Sequence, residues 1–361
     1  MEGIAVFTWE ICKRLVINHP EDQFYFFFDR TPHHSFINFK NVTSIVLKPQ
    51  ARHPLLWKYW FDFALTNAFK KHQIDVFFSP EFYLSKKSTV PTVIVTHDLG
   101  FLQYPDTYKK HHVHYFKQQV PLFLNQADHI IAVSNFTKNE IIKSYNIIPE
   151  KISVIGNAVR SIFKPLCEKE KTNVKQSISE GLPFILYLGS IHPRKNLNRL
   201  VKAFDQFKQE STQAHKLVLY GRWAFKNEQL KSTLEKSSYK KDIIFCGDDH
   251  MAAEKVVASA SCLIYPSLYE GFGIPIIEAM ACGVPVITSD RGAMKEVGGD
   301  AAIYMNPNSV EDISKAIDTL CSNNDVNKDK LLQNVSRYSW DASARQVYES
   351  LLSARNSAKR F

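Results

Sequence analysis

The chain has 361 residues, a length that favours two domains over one. Hydrophobic residues make up 45% of it and charged residues 22%, the balance of a globular protein with a sizeable core. No stretch approaches the roughly 20 apolar residues that cross a bilayer, which excludes a membrane-spanning helix. The net charge of +9 suits nucleotide phosphates, an anionic membrane surface or nucleic acid, although scattered lysines equally fit a plain solvated surface.

The six cysteines are widely spaced, which argues against a metal-binding pair and against a small disulfide scaffold. We therefore expect reduced thiols in a cytoplasmic protein. The first twenty residues include Glu10, Lys13 and Arg14 and lack the apolar run of a signal peptide. The expectation is a soluble or at most peripheral protein.

In chain order, short β-rich runs alternate with helical patterns. Strands are predicted at 23–29, 43–49, 75–80, 92–98, 129–134, 151–157, 183–189, 216–221, 242–247, 262–267, 285–290 and 301–305. Helices are predicted at 6–19, 55–72, 105–127 (bent or split at Pro121), 135–145, 196–210, 250–261, 275–282 and 309–322.

Strands that are apolar on both faces and joined by helices indicate parallel sheets covered on both sides. The fold class is therefore α/β, with two doubly wound, Rossmann-like domains and a cleft between them as the expected site. The predicted divisions are an N-terminal domain (1–165), a polar linker (166–181), a C-terminal domain (182–338) and a final helix that crosses back toward the first domain (339–361).

The most informative segment is 265–290, YPSLYEGFGIPIIEAMACGVPVITSD. A strand runs into a glycine-rich loop with Glu270, and a helix opens at Ile274 and Pro275, where a proline is well tolerated. Helix-start amides favour an anion, and the carboxylate of Glu278 can bind vicinal hydroxyls in pairs. A turn role for Glu270 and a solvated role for Glu278 are the plainer alternatives, but the apolar neighbours of Glu278 make an unpaired carboxylate costly there.

Glu270 and Glu278, with seven residues between them and GFG in the loop, resemble the paired-glutamate motif of the family 4 (group 1) glycosyltransferases, which have the GT-B architecture. The resemblance covers about residues 3–350. It implies that Glu278 binds the ribose of a nucleotide sugar and that Glu270 contacts the transferred sugar. Gly271 and the amides of Phe272, Gly273 and Ile274 would lie against sugar and phosphate.

A second motif, YLGSIHPRKNL at 187–197, carries a strand through Gly189 into a helix start with Arg194 and Lys195. Two cations beside a positive helix end form a plausible diphosphate site, although a solvated basic turn is an equal alternative on this segment alone. The segment resembles the family's strand–glycine–loop–Arg–Lys element, which implies that Gly189, Arg194 and Lys195 hold the donor diphosphate.

His97 and Asp98 follow a buried strand in the first half. A lone histidine there is more often structural, but the family places a histidine at the end of this strand, so His97 is a candidate catalytic residue together with Glu270. Asp98 is expected to cap the next turn.

The sequence departs from the family at its start, where the first strand and part of its loop are absent from 1–5 (MEGIA). We expect an upstream start or a truncated protein, and hence a chain that is unstable or weakly active by itself. A non-catalytic, sugar-nucleotide-binding member is the alternative function.

By resemblance, the expected activity is a retaining transfer of a mannosyl- or glucosyl-type hexose from a UDP- or GDP-sugar to a glycan or lipid-linked acceptor in polysaccharide biosynthesis. No metal or other cofactor is expected, since the acidic pair Asp248-Asp249 lacks the DxD spacing. A dinucleotide-dependent oxidoreductase is disfavoured because no GxGxxG fingerprint occurs, and nucleic-acid binding because no aromatic-basic module occurs.

The aromatic segment Leu55–His72 has Lys58, Asp62, Thr66 and Lys70 at every fourth position. This spacing predicts a narrow exposed polar stripe on a core helix, or alternatively a face that lies on a membrane or a lipid-linked acceptor.

Overall fold

The computed structural model describes residues 3–32, 38–224, 227–247, 250–322 and 327–358. Its parallel strands fall into two compact units. The first unit consists of Met1–Asn157 with Ser339–Phe361, and the second of Ala158–Tyr338. Asp248 and Asp249 lie outside the described residues.

The first unit begins with alternating helices and strands. They are α1 (Gly3–Asn18), β1 (Phe24–Phe28), β2 (Val42–Val46), α2 (Pro54–Tyr59), a π-helical turn (Trp60–Leu65), α3 (Thr66–His72), β3 (Phe77–Ser79), β4 (Thr92–Thr96), α4 (Gly100–Gln103), α5 (Lys110–Gln126), β5 (His129–Ala132), α6 (Asn135–Tyr145) and β6 (Ile152–Val154).

The parallel sheet β3-β4-β5-β6 forms the centre of this unit, and β4 is buried at all five positions. Its Val and Ile side chains pack on both faces, as expected for a strand covered by helices on two sides. In the described ranges, β1 pairs in parallel only with β2, and β3 only with β4, so this unit contains two separate sheets.

The second unit has the same alternation of strands and helices. Its elements are α7 (Glu168–Ser179), β7 (Phe184–Leu188), α8 (Leu197–Glu210), β8 (Lys216–Tyr220), α9 (Glu228–Lys236), β9 (Ile243–Cys246), α10 (Ala253–Ser259), β10 (Cys262–Tyr265), α11 (Ile274–Ala281), β11 (Val286–Ser289), α12 (Gly292–Gly298), β12 (Ile303–Met305), α13 (Val310–Ser322) and α14 (Lys328–Val335).

The six strands of the second unit form one parallel sheet in the order β12-β11-β10-β7-β8-β9. The chain winds outward from β7 in one direction and then returns to continue from β10 in the other. This is the doubly wound order, and β7 and β10 are its central neighbours. Ligands in such sheets bind beyond the carboxyl ends of the two strands where the winding reverses.

The last helix, α15 (Trp340–Ala358), belongs to the first unit and packs against α1. The indole of Trp340 is buried and lies edge-on to the ring of Phe7. The hydroxyl of Ser343 donates a hydrogen bond to the carbonyl of Gly156 at 2.8 Å. These contacts tie α15 both to α1 and to the segment that follows β6.

The α/β class with two Rossmann-like units is confirmed, and every predicted strand is present with its ends shifted by three residues at most. The segment 166–181, which was predicted to be a linker, instead contains the helix α7. The N–H of Cys167 donates to Glu170 at the helix start, and Val174 is buried. Since most of α7 faces solvent, its composition is as polar as that of a linker.

The helix predicted at 105–127 starts later, as α5, and continues through Pro121 without a break. A proline removes one hydrogen bond of a helix interior, and packing can offset that loss. Val120, Phe123 and Leu124 are buried around it.

The prediction of an exposed polar stripe on residues 55–72 is wrong for its two central members, Asp62 and Thr66. Asp62 and Thr66 are buried, with 4% and 7% of their surface exposed. A carboxylate oxygen of Asp62 accepts the N–H of Lys86 at 2.8 Å, and the hydroxyl of Thr66 lies 2.6 Å from that of Ser85. The π-helical turn adds a residue to this segment and so shifts the phase of its faces.

The described residues contain no helix that is both long and apolar enough to cross a membrane.

Candidate active site

The loops that follow β7 and β10 meet at the carboxyl edge of the second unit's sheet. The two strands are direct neighbours, with Ile185 opposite Cys262 and Leu186 opposite Leu263. The N–H of Leu268 donates to the carbonyl of Arg194 at 2.9 Å, which joins one loop to the other. Two motifs that are far apart in sequence are therefore held together at the point where the winding reverses.

Lys195 and Glu270 form an ion pair at this junction. The Lys195 Nζ lies 2.5 Å from the Glu270 Oε1 and 2.8 Å from the Tyr265 hydroxyl, and all three residues are buried. Burial alone would raise the pKa of Glu270, but the charges of Lys195 and Arg194 outweigh it and lower this pKa below its ordinary value. Glu270 is therefore a carboxylate at neutral pH.

Arg194 lies in the same loop, with its guanidinium 5.8 Å from the centre of the Tyr269 ring. Together with Lys195 it places two cations beside one buried carboxylate. Two cations and one anion leave an excess of positive charge, which is the electrostatic requirement for binding a diphosphate.

Gly189 directly follows β7 with φ +147°, and its N–H donates to the Tyr220 carbonyl at 3.0 Å. Gly221, directly after β8, approaches so closely that a Cβ there would lie 2.1 Å from the Gly189 carbonyl oxygen. Such a contact requires glycine at position 221. The close approach fixes the start of the loop that carries Arg194 and Lys195.

Helix α11 begins directly after the glycine loop, as the motif predicts. Gly273 has φ +100° at the N-cap, Ile274 is the first helical residue, and Phe272 is buried with its ring edge-on to Tyr338 at 5.4 Å. A helix start offers N–H groups without a partner in its own helix. In α11, Pro275 has no N–H and the N–H of Ile276 donates to the Gly273 carbonyl at 3.0 Å, so the N–H of Ile274 is the first-turn donor that can meet an anion. Gly271 lies in the same loop, between Glu270 and Phe272.

Glu278 lies one turn into α11 and belongs to a second ion pair. An Oε1–Nη2 distance of 3.4 Å joins it to Arg160, and only 7% of its side chain is exposed. Burial raises the pKa of Glu278 to about 7, while Arg160 opposes the shift. The carboxylate thus exchanges a proton near neutral pH unless further donors stabilise its charge.

His97 lies in the first unit, directly after β4. Its Nε2 is 2.8 Å from the Pro80 carbonyl and its ring is edge-on to Phe7. A carbonyl only accepts, so Nε2 carries the hydrogen and Nδ1 is an acceptor in the neutral ring. Burial lowers the pKa of His97, which keeps the ring neutral. The Asp98 carboxylate accepts the N–H of Gly100, where α4 begins.

The structure therefore brings Arg194, Lys195 and Glu270 into one cluster and gives Glu278 a separate partner. Sequence reasoning missed two residues of this arrangement, Tyr265 and Arg160. Tyr265 is the first residue of the quoted 265–290 motif, and a buried tyrosine at a strand end was a usable signal. Arg160 follows the expected end of the first sheet, and its partner could not be inferred from a distance of more than a hundred positions.

In the described ranges, the residues close enough to share a metal ion are His19, Glu21 and Asp22, in the first unit. Asp22 already accepts a hydrogen bond from Tyr348, and the His19 ring stacks on Tyr348 at 3.5 Å. These contacts with Tyr348 explain why His19 and Asp22 lie close together.

Comparison with known families matches both halves of the chain. Residues 168–339 match the model "Glycosyl transferases group 1", and residues 1–161 match "Glycosyltransferase Family 4". The chain belongs to glycosyltransferase family 4. The predicted enzyme class is thus confirmed, and the oxidoreductase alternative is excluded.

Curated relatives of this glycosyltransferase include O-antigen chain mannosyltransferase B of Escherichia coli, 31% identical over 69% of the chain and 66% of that protein. O-antigen chain mannosyltransferase RfbU of Salmonella typhimurium is 29% identical over 87% of the chain and 84% of that protein. The chain thus spans about two thirds of the first relative's length.

Solved structures share the GT-B fold. A glycosyltransferase from Rickettsia africae superposes with a TM-score of 0.74 at 16% identity, over 96% of this chain and 94% of that one. Anabaena HepE in complex with UDP-glucose gives 0.74 at 18% identity, over 95% of each chain. At these identities the likeness concerns the fold.

Replacing Lys195 with methionine should destabilise the second unit by about 3–5 kcal/mol, because Glu270 would remain buried without its cation. Adding Glu270→Gln should restore most of this loss. Hydrogen exchange of peptides from β7 and β10, followed by mass spectrometry, measures the effect. Additive losses in the double variant would show that the two side chains are not coupled.

The pKa of Glu278 predicts a pH-dependent stability. Its folded value of about 7 exceeds the ordinary 4.5, so the folded state holds an extra proton between these values. Stability should therefore fall as pH rises through this window, by at most about 1.4 kcal/mol per pH unit. Glu278→Gln should abolish this slope in the same exchange measurement, and the exposed control Glu228→Gln should keep it. Equal slopes in wild type and Glu278→Gln would contradict the assignment.

Proposed function

We propose that the chain transfers a mannosyl residue from a nucleotide-diphosphate donor to a glycan or lipid-linked acceptor, with retention of the anomeric configuration. The observation that carries the proposal is the cluster of Arg194, Lys195 and Glu270 where the winding reverses. The named activities of the O-antigen mannosyltransferases support the choice of sugar and of cell-surface polysaccharide synthesis.

In this proposal the two cations hold the donor diphosphate. Negative charge grows on the diphosphate as the glycosidic bond breaks, and positioned cations are most effective where charge develops. Arg194 offers a planar fork of donors and Lys195 a compact charge. The N–H groups of Phe272, Gly273 and Ile274, at the start of α11, would add further donors to the same anion.

The glutamates would bind hydroxyls. Glu270 is ionised and held in place by Lys195, so its second oxygen can accept from the transferred sugar. Glu278, at the side of α11, would accept from the ribose of the nucleotide. Each hydroxyl that donates to Glu278 favours its charged form and lowers its pKa.

We further propose that no metal is required, because Arg194 and Lys195 supply the positive charge that a divalent ion would otherwise bring to the diphosphate. His97, with its neutral ring and accepting Nδ1, is proposed to bind a hydroxyl of the donor sugar. Because no carboxylate of the described residues stands out as a nucleophile, we propose that the leaving diphosphate takes the proton of the acceptor.

Transfer from GDP-mannose tests the proposal, with UDP-glucose as the second donor. Arg194→Ala and Glu278→Ala should each lower kcat/KM by about 100-fold or more. Lys202→Ala, an exposed lysine on α8, is the matched control and should have no effect. Activity should persist in EDTA. Donor binding without transfer would instead favour a non-catalytic, sugar-nucleotide-binding protein, and unchanged kcat/KM in both variants would refute the site.

The segment 54–72 has exposed apolar side chains at which a membrane-bound acceptor could be reached. Leu55, Tyr59 and Phe63 follow one another at four-residue spacing and are 72%, 52% and 42% exposed. We call these three exposed side chains the apolar ridge. The Lys87 ammonium lies 3.9 Å from the centre of the Phe63 ring, and Lys58 is exposed beside the ridge. Apolar side chains flanked by cations fit the headgroup region of an anionic bilayer. We propose that the enzyme binds the cytoplasmic face of the membrane through this ridge.

Co-sedimentation with vesicles that contain anionic lipid tests the ridge. Tyr59→Ser/Phe63→Ser should reduce the bound fraction several-fold, because the exposed aromatic area is lost. The tryptophans of the segment are poor test positions, since the Trp57 and Trp60 indoles donate to the carbonyls of the partly buried residues Ala51 and Leu47. Ile148→Ser removes an exposed apolar side chain elsewhere and should leave binding unchanged. Equal binding of wild type and double variant would refute the proposal.

A further inference from the structure

The segment that opens the second unit brings a cation to the side of α11. Ala158 is the first residue of this unit, and Arg160 follows two positions later. The N–H of Phe163 donates to the carbonyl of Arg160 at 3.0 Å, which closes a tight turn, and the Phe163 ring is buried. The Arg160 guanidinium lies 5.0 Å from the centre of this ring. The turn and the ring thus hold Arg160 in place while its Nη2 reaches Glu278.

Glu278 is the acidic partner of this guanidinium. The Arg160 Nη2 lies 3.4 Å from the Glu278 Oε1, whereas the Arg160 Nε is buried and has no hydrogen-bond partner in the described part of the chain. Arg160 is partly exposed, and Glu278 is buried. A buried carboxylate that loses its cation is left without compensation for the water it gave up. The charge of Glu278 therefore depends on one arginine.

The other charges around α11 do not replace Arg160. Burial raises the pKa of Glu278 to about 7, Arg160 lowers it, and the like charge of Glu254 on α10 raises it. Burial and the two glutamates raise the pKa of the Cys282 thiol, just after α11, to about 12, so this thiol is neutral. The strands β10 and β11 contain no Asp, Glu, Lys, Arg or His. The other helices packed against α11 carry Lys295, Glu296, Lys328, Asp329 and Lys330.

The ionisation of Glu278 decides how well it binds hydroxyl groups. A carboxylate accepts through both oxygens, whereas the protonated acid gives up part of this capacity. Hydrogen bonds to an ionised acceptor are also about twice as strong as those between neutral groups. Vicinal hydroxyls therefore bind the charged form of Glu278 in preference to the acid. Arg160 favours the charged form, and burial and Glu254 oppose it.

We propose that Arg160 is a positioning residue for nucleotide-sugar binding, which keeps Glu278 charged and fixed in place, so that the affinity for the donor rises with pH near neutrality. This role rests on the proposed function, in which Glu278 binds the ribose of the donor. Arg160 acts through Glu278 and needs no contact with the donor itself.

The direction of the pH effect follows from the proton on Glu278. Below a pKa of about 7 the acid form predominates, and a donor that binds the carboxylate must displace this proton. Above that pKa no proton has to leave. The Kd of the donor should therefore rise about tenfold when the pH falls from about 8 to about 6.

Equilibrium binding of GDP-mannose and of UDP-glucose to the full chain, without an acceptor, measures this effect. The diphosphate of each donor is esterified at both ends and keeps a constant charge in this range, so its own titration does not contribute. The wild type should show the tenfold rise in Kd at low pH. Glu278→Gln has no carboxylate to titrate, and its Kd should not depend on pH.

Two variants of Arg160 separate its charge from a purely structural role. Arg160→Ala should raise the Kd about fivefold or more at neutral pH, because losing a neighbouring opposite charge raises the pKa of a carboxyl by about one unit or more. The difference from wild type should shrink as the pH is raised. Arg160→Lys keeps the charge and should restore most of the affinity. Arg345→Ala removes an exposed arginine of α15 and is the matched control, with no change expected.

The outcomes distinguish this role of Arg160 from the function on which it rests. If neither donor binds the wild type at any pH, the proposed function fails and the role of Arg160 fails with it. If a donor binds with the same Kd at every pH, Arg160 does not act through the charge of Glu278, although the donor site stands. An equal loss of affinity at every pH in Arg160→Ala would likewise overturn the proposal.

Discussion

A buried charge pair organises the carboxyl edge of the second unit's sheet. Lys195 and Glu270 come from different loops, and removing either charge would leave the other buried without its partner. Because β7 and β10 are adjacent, the pair forms at the edge of the sheet where a ligand can reach it. The doubly wound order supplies the position, and the ion pair supplies the fixed charge.

In the ion pair of Glu278 with Arg160, burial outweighs the effect of the neighbouring positive charge on the pKa of the glutamate. Glu278 is as buried as Glu270 but has one partly exposed cation, and its pKa rises where that of Glu270 falls. Arg160 lies just after the boundary between the units and belongs to the second, where its guanidinium also lies over the Phe163 ring at 5.0 Å. The second unit therefore begins at Ala158, before the predicted linker, because Arg160 and Phe163 make their contacts within it.

Much of the fold could be predicted from the sequence, and the exceptions have physical causes. The strands were predictable because apolar runs such as 184–188 are buried on both faces. Helix α7 was missed because only a narrow side of it is buried, and Asp62 was misplaced because a regular helical period cannot anticipate a π-helical turn. At the site, the loop residues followed from motif and resemblance. The contact of Arg160 with Glu278 depends on tertiary packing that no local pattern encodes, whereas Tyr265 had a usable signal in its position at the end of an apolar strand.

The π-helical turn at Trp60–Leu65 sets the relative orientation of the helical residues before and after it. Each residue of a helix turns the chain by about 100°. Deleting one residue from this turn would make the helix regular but would rotate Leu55 and Tyr59 by that angle relative to Phe69. The extra residue of the π-helical turn thus allows Phe69 to be buried in the core while Leu55, Tyr59 and Phe63 are exposed to solvent. Insertions or deletions in this turn would change the direction in which the exposed side chains of Leu55 and Tyr59 point relative to the core.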